Sequence, residues 1–175
     1  MSYNMFLYHF NNKKNKVKKK AEYIYIAIIN LSRAYTKEIK YPIKKNFKIT
    51  FEIFSLFLIM FFKISQDLKY EKIKSINIEL MGIFTKDLEN YFRELGIGDM
   101  SIGRYVKTYI KKFYYRVKKL DKIYDSDNED DIREFLSILE DKDLIKNISK
   151  TIFIRYSNLK KEMKNNKIGD YFIDL

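Results

Sequence analysis

The chain has 175 residues, of which 35 are Lys or Arg and 23 are Asp or Glu, so its formal net charge is +12. The length suits one compact domain. With only 5 Gly and 1 Pro, the sequence lacks the turn residues that β-sandwiches and propellers need, which favours helices. The absence of Cys and the single His exclude disulfides, thiol catalysis and most transition-metal chemistry, so we expect no metal and no cofactor.

Residues 1–20 are predicted to form a basic N-terminal tail, in which a short apolar stretch precedes a lysine-rich run. A secretory signal has the opposite order, with its charges first. The tail has two interpretations, a solvated arm or an arm that binds a membrane surface or a ribosome. The overall positive charge favours anionic partners in either case, such as RNA or acidic lipid headgroups.

We predict that residues 21–163 form an all-α, single-domain bundle of about five to six helices and that residues 164–175 form a C-terminal tail. Apolar spacing of three to four residues predicts the first helix over 21–39, before Pro42. The most apolar segment, 49–64, is bounded by Lys48 and Lys63 and contains Glu52. It is short for a membrane span, which needs about 20 residues. A central buried helix is therefore predicted, with a membrane-dipping segment as the alternative.

A tight connection is predicted between a third helix, over 78–95, and a fourth, over 101–120. Gly96 is expected to end the third helix in the left-handed conformation. Asp99 or Ser101 is expected to cap the fourth. In the fourth helix the aromatic and aliphatic residues recur every three or four positions, and no acidic residue interrupts the basic ones. This pattern predicts one aromatic face and one cationic face.

The acidic stretch 121–131 does not fit a calcium loop, because Asp130 stands where a Gly is needed and Leu136 where a Glu is needed. We expect a loop there, followed by two further helices over 132–147 and 148–163. No nucleophile–base arrangement or phosphate-binding motif can be proposed, and the one His, His9, lies in the predicted tail. An enzyme is therefore the least supported class, and the residues alone favour a basic helical binding module.

Two segments resemble the ubiquinol–cytochrome c chaperone family. Residues 92–102, Phe-Arg-Glu-Leu-Gly-Ile-Gly-Asp-Met-Ser-Ile, are similar to the family's Leu-Arg-Glu-Met-Gly-Val-Gly-Asp stretch, which leads into a basic helix ending in Phe-Tyr-Gly-Arg. Residues 113–116 read Phe-Tyr-Tyr-Arg, so Tyr115 replaces that glycine. Upstream, 25–33 and 51–63 resemble the family's first two helices. The chain departs from the family at 42–44, where Pro-Ile-Lys replaces Pro-Asp-Thr, and at Phe57, where the family has His.

The resemblance covers roughly residues 21–120. It implies a non-enzymatic assembly factor for respiratory complex III that binds newly made cytochrome b, with a small partner protein and contacts to the ribosome or the anionic membrane surface. The implied location is the bacterial cytoplasm at the inner membrane, or the matrix side of the mitochondrial inner membrane in a eukaryote. The alternatives are an RNA- or ribosome-binding protein without a client, and a membrane-associated structural protein.

The candidate binding residues combine the family motif with the basic helix. They are Arg33, Arg93, Glu94, Gly96, Gly98, Asp99, Arg104, Lys107, Lys111, Lys112, Phe113, Tyr114 and Arg116. The motif has two interpretations, a loop that binds a client or partner, and a helix junction whose charges pair internally. The aromatic rings fit the core as well as a binding surface, and the basic residues fit a solvated face as well as a binding face.

Overall fold

The computed structural model describes residues 16–38, 47–66, 72–126, 128–137 and 142–164. These residues form six helices and no strand, which confirms the predicted all-α class. The helices are α1 Lys16–Glu38, α2 Phe47–Gln66, α3 Ile73–Glu94, α4 Asp99–Ser126, α5 Glu129–Leu136 and α6 Lys142–Lys164.

Helix α2 is the centre of the bundle. Its residues from Phe51 to Phe61 are all buried, and it contacts α1, α3, α4 and α6. A helix that is apolar on every side must be covered on every side, which agrees with the predicted central helix. Within the described segments, no helix combines the length and the apolar character that crossing a bilayer demands.

Aromatic rings connect the helices of the core. The Phe84 ring of α3 lies 5.6 Å from Phe54 of α2 and 5.1 Å from Phe113 of α4, measured between centroids. Tyr25 of α1 meets Phe54 edge-on at 5.4 Å. Such tilted and edge-on pairs are the preferred ring geometries, and they fix how α1, α3 and α4 pack around α2.

One carboxyl group is buried between α1 and α3. Asp87 has only 8% of its surface exposed. Burial raises the pKa of Asp87 to about 6; the nearby Tyr25 hydroxyl of α1 lowers it and the Glu94 charge raises it. The pKa of Tyr25 is also raised, chiefly by burial.

Two predicted boundaries shift because charged residues are helical. Helix α1 begins at Lys16, so residues 16–20 of the predicted tail are helical; the rest of that tail lies outside the described residues. Helix α4 continues through half of the predicted acidic loop. The Lys63 ammonium lies 2.7 Å from Asp121 and 2.9 Å from Asp125, which stand one turn apart. Burial lowers the pKa of Lys63, but these two hydrogen bonds outweigh it and raise the pKa overall.

The predicted break at 147–148 is wrong. Helix α6 runs unbroken through it, because Ile145, Ile148 and Ile152 form one buried stripe. The break lies earlier, between α5 and α6. Helix α5 begins where Asn128 accepts a hydrogen bond from the Asp130 N–H at 3.0 Å, a side-chain cap. The division of the chain at residues 20 and 163 stays a prediction.

Candidate partner-binding site

The turn between α3 and α4 is built by backbone geometry. Gly96 has φ +78°, and its N–H donates to the Arg93 carbonyl at 2.9 Å, while the Ile97 N–H donates to the Phe92 carbonyl at 3.1 Å. This pair of bonds is the Schellman motif, which ends a helix on a left-handed residue. The Ile97 side chain then packs on the core. The predicted role of Gly96 as a helix terminator is confirmed.

The start of α4 differs from the expected cap. Asp99 is the first helical residue, and the Gly98 carbonyl accepts hydrogen bonds from the N–H groups of Ser101 and Ile102 at 2.8 and 3.3 Å. The Asp99 carboxylate therefore stands in the first turn, where the helix dipole favours negative charge. A Cβ added at Gly98 would meet no heavy atom within 4 Å, so no close approach requires a glycine there.

The charges of the family motif meet each other across this turn. The Arg93 guanidinium lies 2.8 Å from a Glu89 carboxylate oxygen and 3.5 Å from an Asp99 oxygen, and all three side chains are well exposed. Arg93 thus joins α3 to the first turn of α4. The neighbouring Glu94 is exposed. Of the two interpretations of the motif, the structure shows the internally paired junction; a role in binding stays a prediction.

An open groove of about 390 Å³ lies beside the junction, between α3 and α4. Its charged lining consists of Glu89, Arg93, Asp99 and Lys107, and its apolar lining comes from the α4 residues one turn further on. The motif residues Met100 and Leu95, which do not line the groove, are also exposed, Met100 fully at 99% and Leu95 by half. The groove therefore offers a mixed charged and apolar surface at the motif.

Helix α4 presents a cationic and aromatic outer surface. Its exposed basic residues are Arg104, Lys107, Lys111, Lys112, Lys118, Lys119 and Lys122. Between them, Tyr114 and Tyr115 are 56% and 61% exposed, and Tyr105 is 45% exposed. No acidic residue occurs from Met100 to Leu120. The predicted two-faced helix is confirmed, with the difference that tyrosines also stand on the cationic side.

Two of the candidate binding residues belong to the core instead. Phe113 has no exposed surface, and Arg116 is 7% exposed. The Arg116 guanidinium forms a two-point ion pair with the Glu52 carboxylate of α2 and donates to the Lys112 carbonyl at 2.9 Å. A charge that is buried without a partner is strongly unfavourable, so Arg116 and Glu52 can each be buried only because the other is present. The expectation that Phe113 contacts a partner is corrected, because its side chain has no exposed surface, whereas a partner contact by Arg116, which lines an open cleft, stays a prediction.

A larger open cleft of about 790 Å³ lies between α4 and α5, with the N-terminal part of α2 at its floor. One wall carries Lys111, Lys112, Lys119 and Lys122 of α4, and the opposite wall carries Asp131 and Glu134 of α5. The floor consists of Tyr109, Ile123, Phe135 and the Glu52–Arg116 pair. We call this space the α4–α5 cleft.

The tyrosines of the cleft hold the neighbouring ammonium groups. The Lys112 nitrogen lies 4.6 Å from the centroid of the Tyr109 ring, and the Lys119 nitrogen lies 5.8 Å from that of Tyr115. Cation–π contacts of this kind position a charge without neutralising it. Burial raises the pKa of Tyr109, and the Glu52 charge adds to this effect, so its hydroxyl stays protonated at neutral pH.

The other candidates are scattered. Arg33 is half-buried near the end of α1 and lines neither the groove nor the cleft. Arg104 and Tyr114 are exposed on α4 outside both linings. The sequence analysis missed several cleft residues, namely Lys48, Tyr115, Lys119, Lys122, Asp131, Glu134 and Phe135. Helical spacing from Lys111 indicates Tyr115 and Lys122, but only the packing of α5 reveals the opposite wall.

The described segments form a helical bundle in which the cationic helix α4 lines two recesses. A family model described as "Ubiquinol-cytochrome C chaperone" matches residues 40–137, more than half of the chain and all of the residues that line both recesses. The chain therefore belongs to the ubiquinol-cytochrome C chaperone family, as the motif at 92–102 predicted.

A solved structure has the same fold. The crystal structure of the Cbp3 homolog from Brucella abortus aligns with a TM-score of 0.67, covering 82% of this chain and 82% of that one, at 19% sequence identity. No protein in the curated set matches the chain. At this identity the alignment establishes the fold, whereas the family assignment rests on the sequence match.

Proposed function

We propose that this chain is a non-enzymatic assembly chaperone for respiratory complex III and that its client is newly made cytochrome b. Family membership supports the complex III role. The observation that carries the client-binding step is the outer surface of α4, where Tyr114 and Tyr115 are each more than half exposed among cations that form no ion pair within the described residues. This surface continues into the α4–α5 cleft, which Tyr115 lines.

The chemistry of the surface suits a membrane protein before insertion. Such a client exposes apolar segments, and contiguous aromatic surface on a chaperone is a binding site for them. Tyrosine rings supply contact area at a low entropic cost, and the hydroxyl keeps the empty surface hydrated. The surrounding lysines keep the chaperone charged and hold acidic or interfacial parts of the client.

A location beside the membrane is part of this proposal, and the cationic surface of α4 supports it. The protein would work at the cytoplasmic face of the bacterial inner membrane, or at the matrix face in a mitochondrion, where lysines meet anionic headgroups. A ribosome and a small partner protein are further proposed contacts. These follow from the family resemblance and from the charge of α4, which has seven exposed basic residues.

Deleting the gene tests the proposal. We expect loss of b-type haem absorbance and of assembled complex III, with general protein synthesis unchanged. The deletion strain is then complemented with Tyr114→Ser plus Tyr115→Ser, which removes two exposed rings, or with Tyr23→Ser, which removes a ring that is 51% exposed on α1. The double variant should fail to restore complex III and the control should restore it. Equal restoration by both would contradict client binding on α4.

A second candidate function is binding to RNA or the ribosome without a client. The unbroken run of exposed cations on α4 favours it, because phosphate contacts by Lys and Arg dominate nucleic-acid affinity. It predicts a general loss of protein synthesis on deletion. It also predicts RNA binding that weakens steeply with salt, whereas binding of an apolar client depends less on salt.

A further inference from the structure

The α4 wall of the α4–α5 cleft carries lysine charges that are not neutralised by ion pairs within the described residues. In the described part of the chain, none of the ammonium groups of Lys111, Lys119 and Lys122 forms an ion pair, although carboxylates occupy the opposite wall. The floor between the walls is aromatic and aliphatic. A ligand that fits this cleft therefore carries negative charge on one side, toward α4, and apolar groups toward the floor.

The chain itself contains one segment of this composition outside the described residues. Residues 168–175 read Ile-Gly-Asp-Tyr-Phe-Ile-Asp-Leu, with two acids, no base and five apolar or aromatic side chains. Segments 1–15 and 39–46 contain bases and no acid. Segments 67–71 and 138–141 contain acids but are short links between helices. Charge complementarity thus selects 168–175.

We propose that segment 168–175 of this chain docks in the α4–α5 cleft. Asp170 and Asp174 are about 13 Å apart in an extended chain, and Lys111 and Lys119 are about 12 Å apart along the α4 wall. The two carboxylates face the lysines of α4, since Asp131 and Glu134 repel them from the α5 wall. The Tyr171 and Phe172 rings cover the apolar floor.

The start of the segment is close enough to reach. The Tyr156 ring of α6 stacks on the Tyr124 ring of α4 at 4.5 Å between centroids, and Lys122 and Ile123 of the cleft immediately precede Tyr124. From Tyr156 to the end of α6 at Lys164 the helix advances about 12 Å. The six residues from 165 to Asp170 span up to about 20 Å when extended, so Asp170 can return toward the Lys119–Lys122 end of the cleft.

Docking within one chain needs only weak contacts. A short tether gives an effective concentration in the millimolar range, so two ion pairs and two buried rings suffice to keep the cleft filled. An external ligand of the same chemistry must then displace the segment. This last consequence rests on the proposed client-binding function, whereas the docking itself does not.

Fluorescence of the full-length protein tests the docking directly. The chain has no Trp, so Phe172→Trp introduces a unique reporter in the segment. We expect acrylamide to quench this tryptophan several-fold less than in the denatured chain. Lys111→Glu plus Lys119→Glu should restore full quenching, and adding Asp170→Lys plus Asp174→Lys should restore the protection. The control pair Lys86→Glu plus Lys150→Glu changes two exposed lysines elsewhere by the same charge and should leave the protection intact.

Several results would overturn the proposal. A tryptophan that is fully quenched in the folded parent, or protected equally in the charge-reversed cleft, means that the segment lies elsewhere. Protection that falls on dilution means that the segment enters the cleft of a second copy. Binding of a short RNA or of anionic vesicles that is unchanged by removing 165–175 means that nothing competes for the cleft. A failed complex III phenotype bears on the proposed function and leaves this test unaffected.

Discussion

The α3–α4 junction and the α4–α5 cleft lie along the same helix but differ in whether their charged side chains form ion pairs. At the junction, Arg93 is paired with Glu89 on one side and Asp99 on the other, so the charges hold the turn. At the cleft, Lys111 and Lys119 of α4 form no ion pair among the described residues. The residues that carry the family resemblance thus stabilise a shape, while less distinctive lysines leave charge available to a ligand.

The largest loss of stability is expected when the buried ion pair at the floor of the cleft is broken. Replacing Arg116 by Met leaves the Glu52 carboxylate buried without a cation, and we expect the free energy of unfolding to fall by about 3–5 kcal/mol. Chemical denaturation measures this loss. The double variant Glu52→Gln plus Arg116→Met removes both charges and should recover most of it. If the single variant lost less than about 1 kcal/mol, water would have to reach Glu52, and the floor would be part of the open surface.

Asp87 is a buried carboxyl group that, unlike Glu52, forms no ion pair within the described residues. The pKa of Asp87 is raised from 3.8 to about 6, so its ionisation opposes folding. The free energy of unfolding of the wild-type protein should therefore fall as the pH rises from about 4 to 6. Asp87→Asn removes that titration. Relative to wild type, the variant should gain up to about 3 kcal/mol between pH 4 and 7, measured by denaturation at each pH. A difference that does not depend on pH would show that folding leaves the pKa of Asp87 unshifted.

The junction itself is tested by its two glycines. Gly96→Ala forces an alanine into a left-handed backbone, and we expect a loss of about 1–2 kcal/mol in the free energy of unfolding. Gly98→Ala is the matched control, because its φ is not positive and its Cβ meets nothing, so its effect should stay within about 0.5 kcal/mol. Equal losses at both positions would mean that the Schellman geometry is not what the motif preserves.

The smallest effect on stability is expected at the rim of the cleft. Lys111→Gln plus Lys119→Gln should change the free energy of unfolding by no more than about 0.5 kcal/mol, because exposed charges without partners stabilise little. The same pair should weaken binding to anionic vesicles or RNA markedly at low salt. Thermal melting and salt-titrated binding measure the two effects. A large loss of stability would place the lysines in the same structural class as Arg93.

Local pattern predicted much of this molecule. The spacing of apolar residues predicted the central helix α2 and the two-faced α4, and Gly96 followed from turn chemistry alone. Arg116 was assigned by its charge, although it stands three residues after Phe113 and four before Leu120, on the buried face. Its partner Glu52 is the one acid in an otherwise apolar helix, a sign that a cation must reach it.

Other features depend on contacts between distant segments. The helical continuation past residue 120 is coupled to Lys63, whose two carboxylate partners lie nearly sixty residues away in sequence. The cleft exists because α5 packs against α4, and a helix of eight residues carries too little pattern to reveal its orientation. Apolar spacing also continues past the end of α5, from Phe135 and Leu136 to Leu139, so the pattern gave no sign of the break before α6.

The length of α4 has a consequence for how many molecules the protein can hold. A helix of 28 residues is about 42 Å long, and its residues that line the groove or the cleft run from Asp99 to Ile123, a distance of about 36 Å. A ten-residue helical peptide is about 15 Å long, so α4 is long enough for one such ligand at each recess. Helix α4 is therefore long enough to bind two different ligands at once, and a ligand in the groove need not displace a ligand in the cleft.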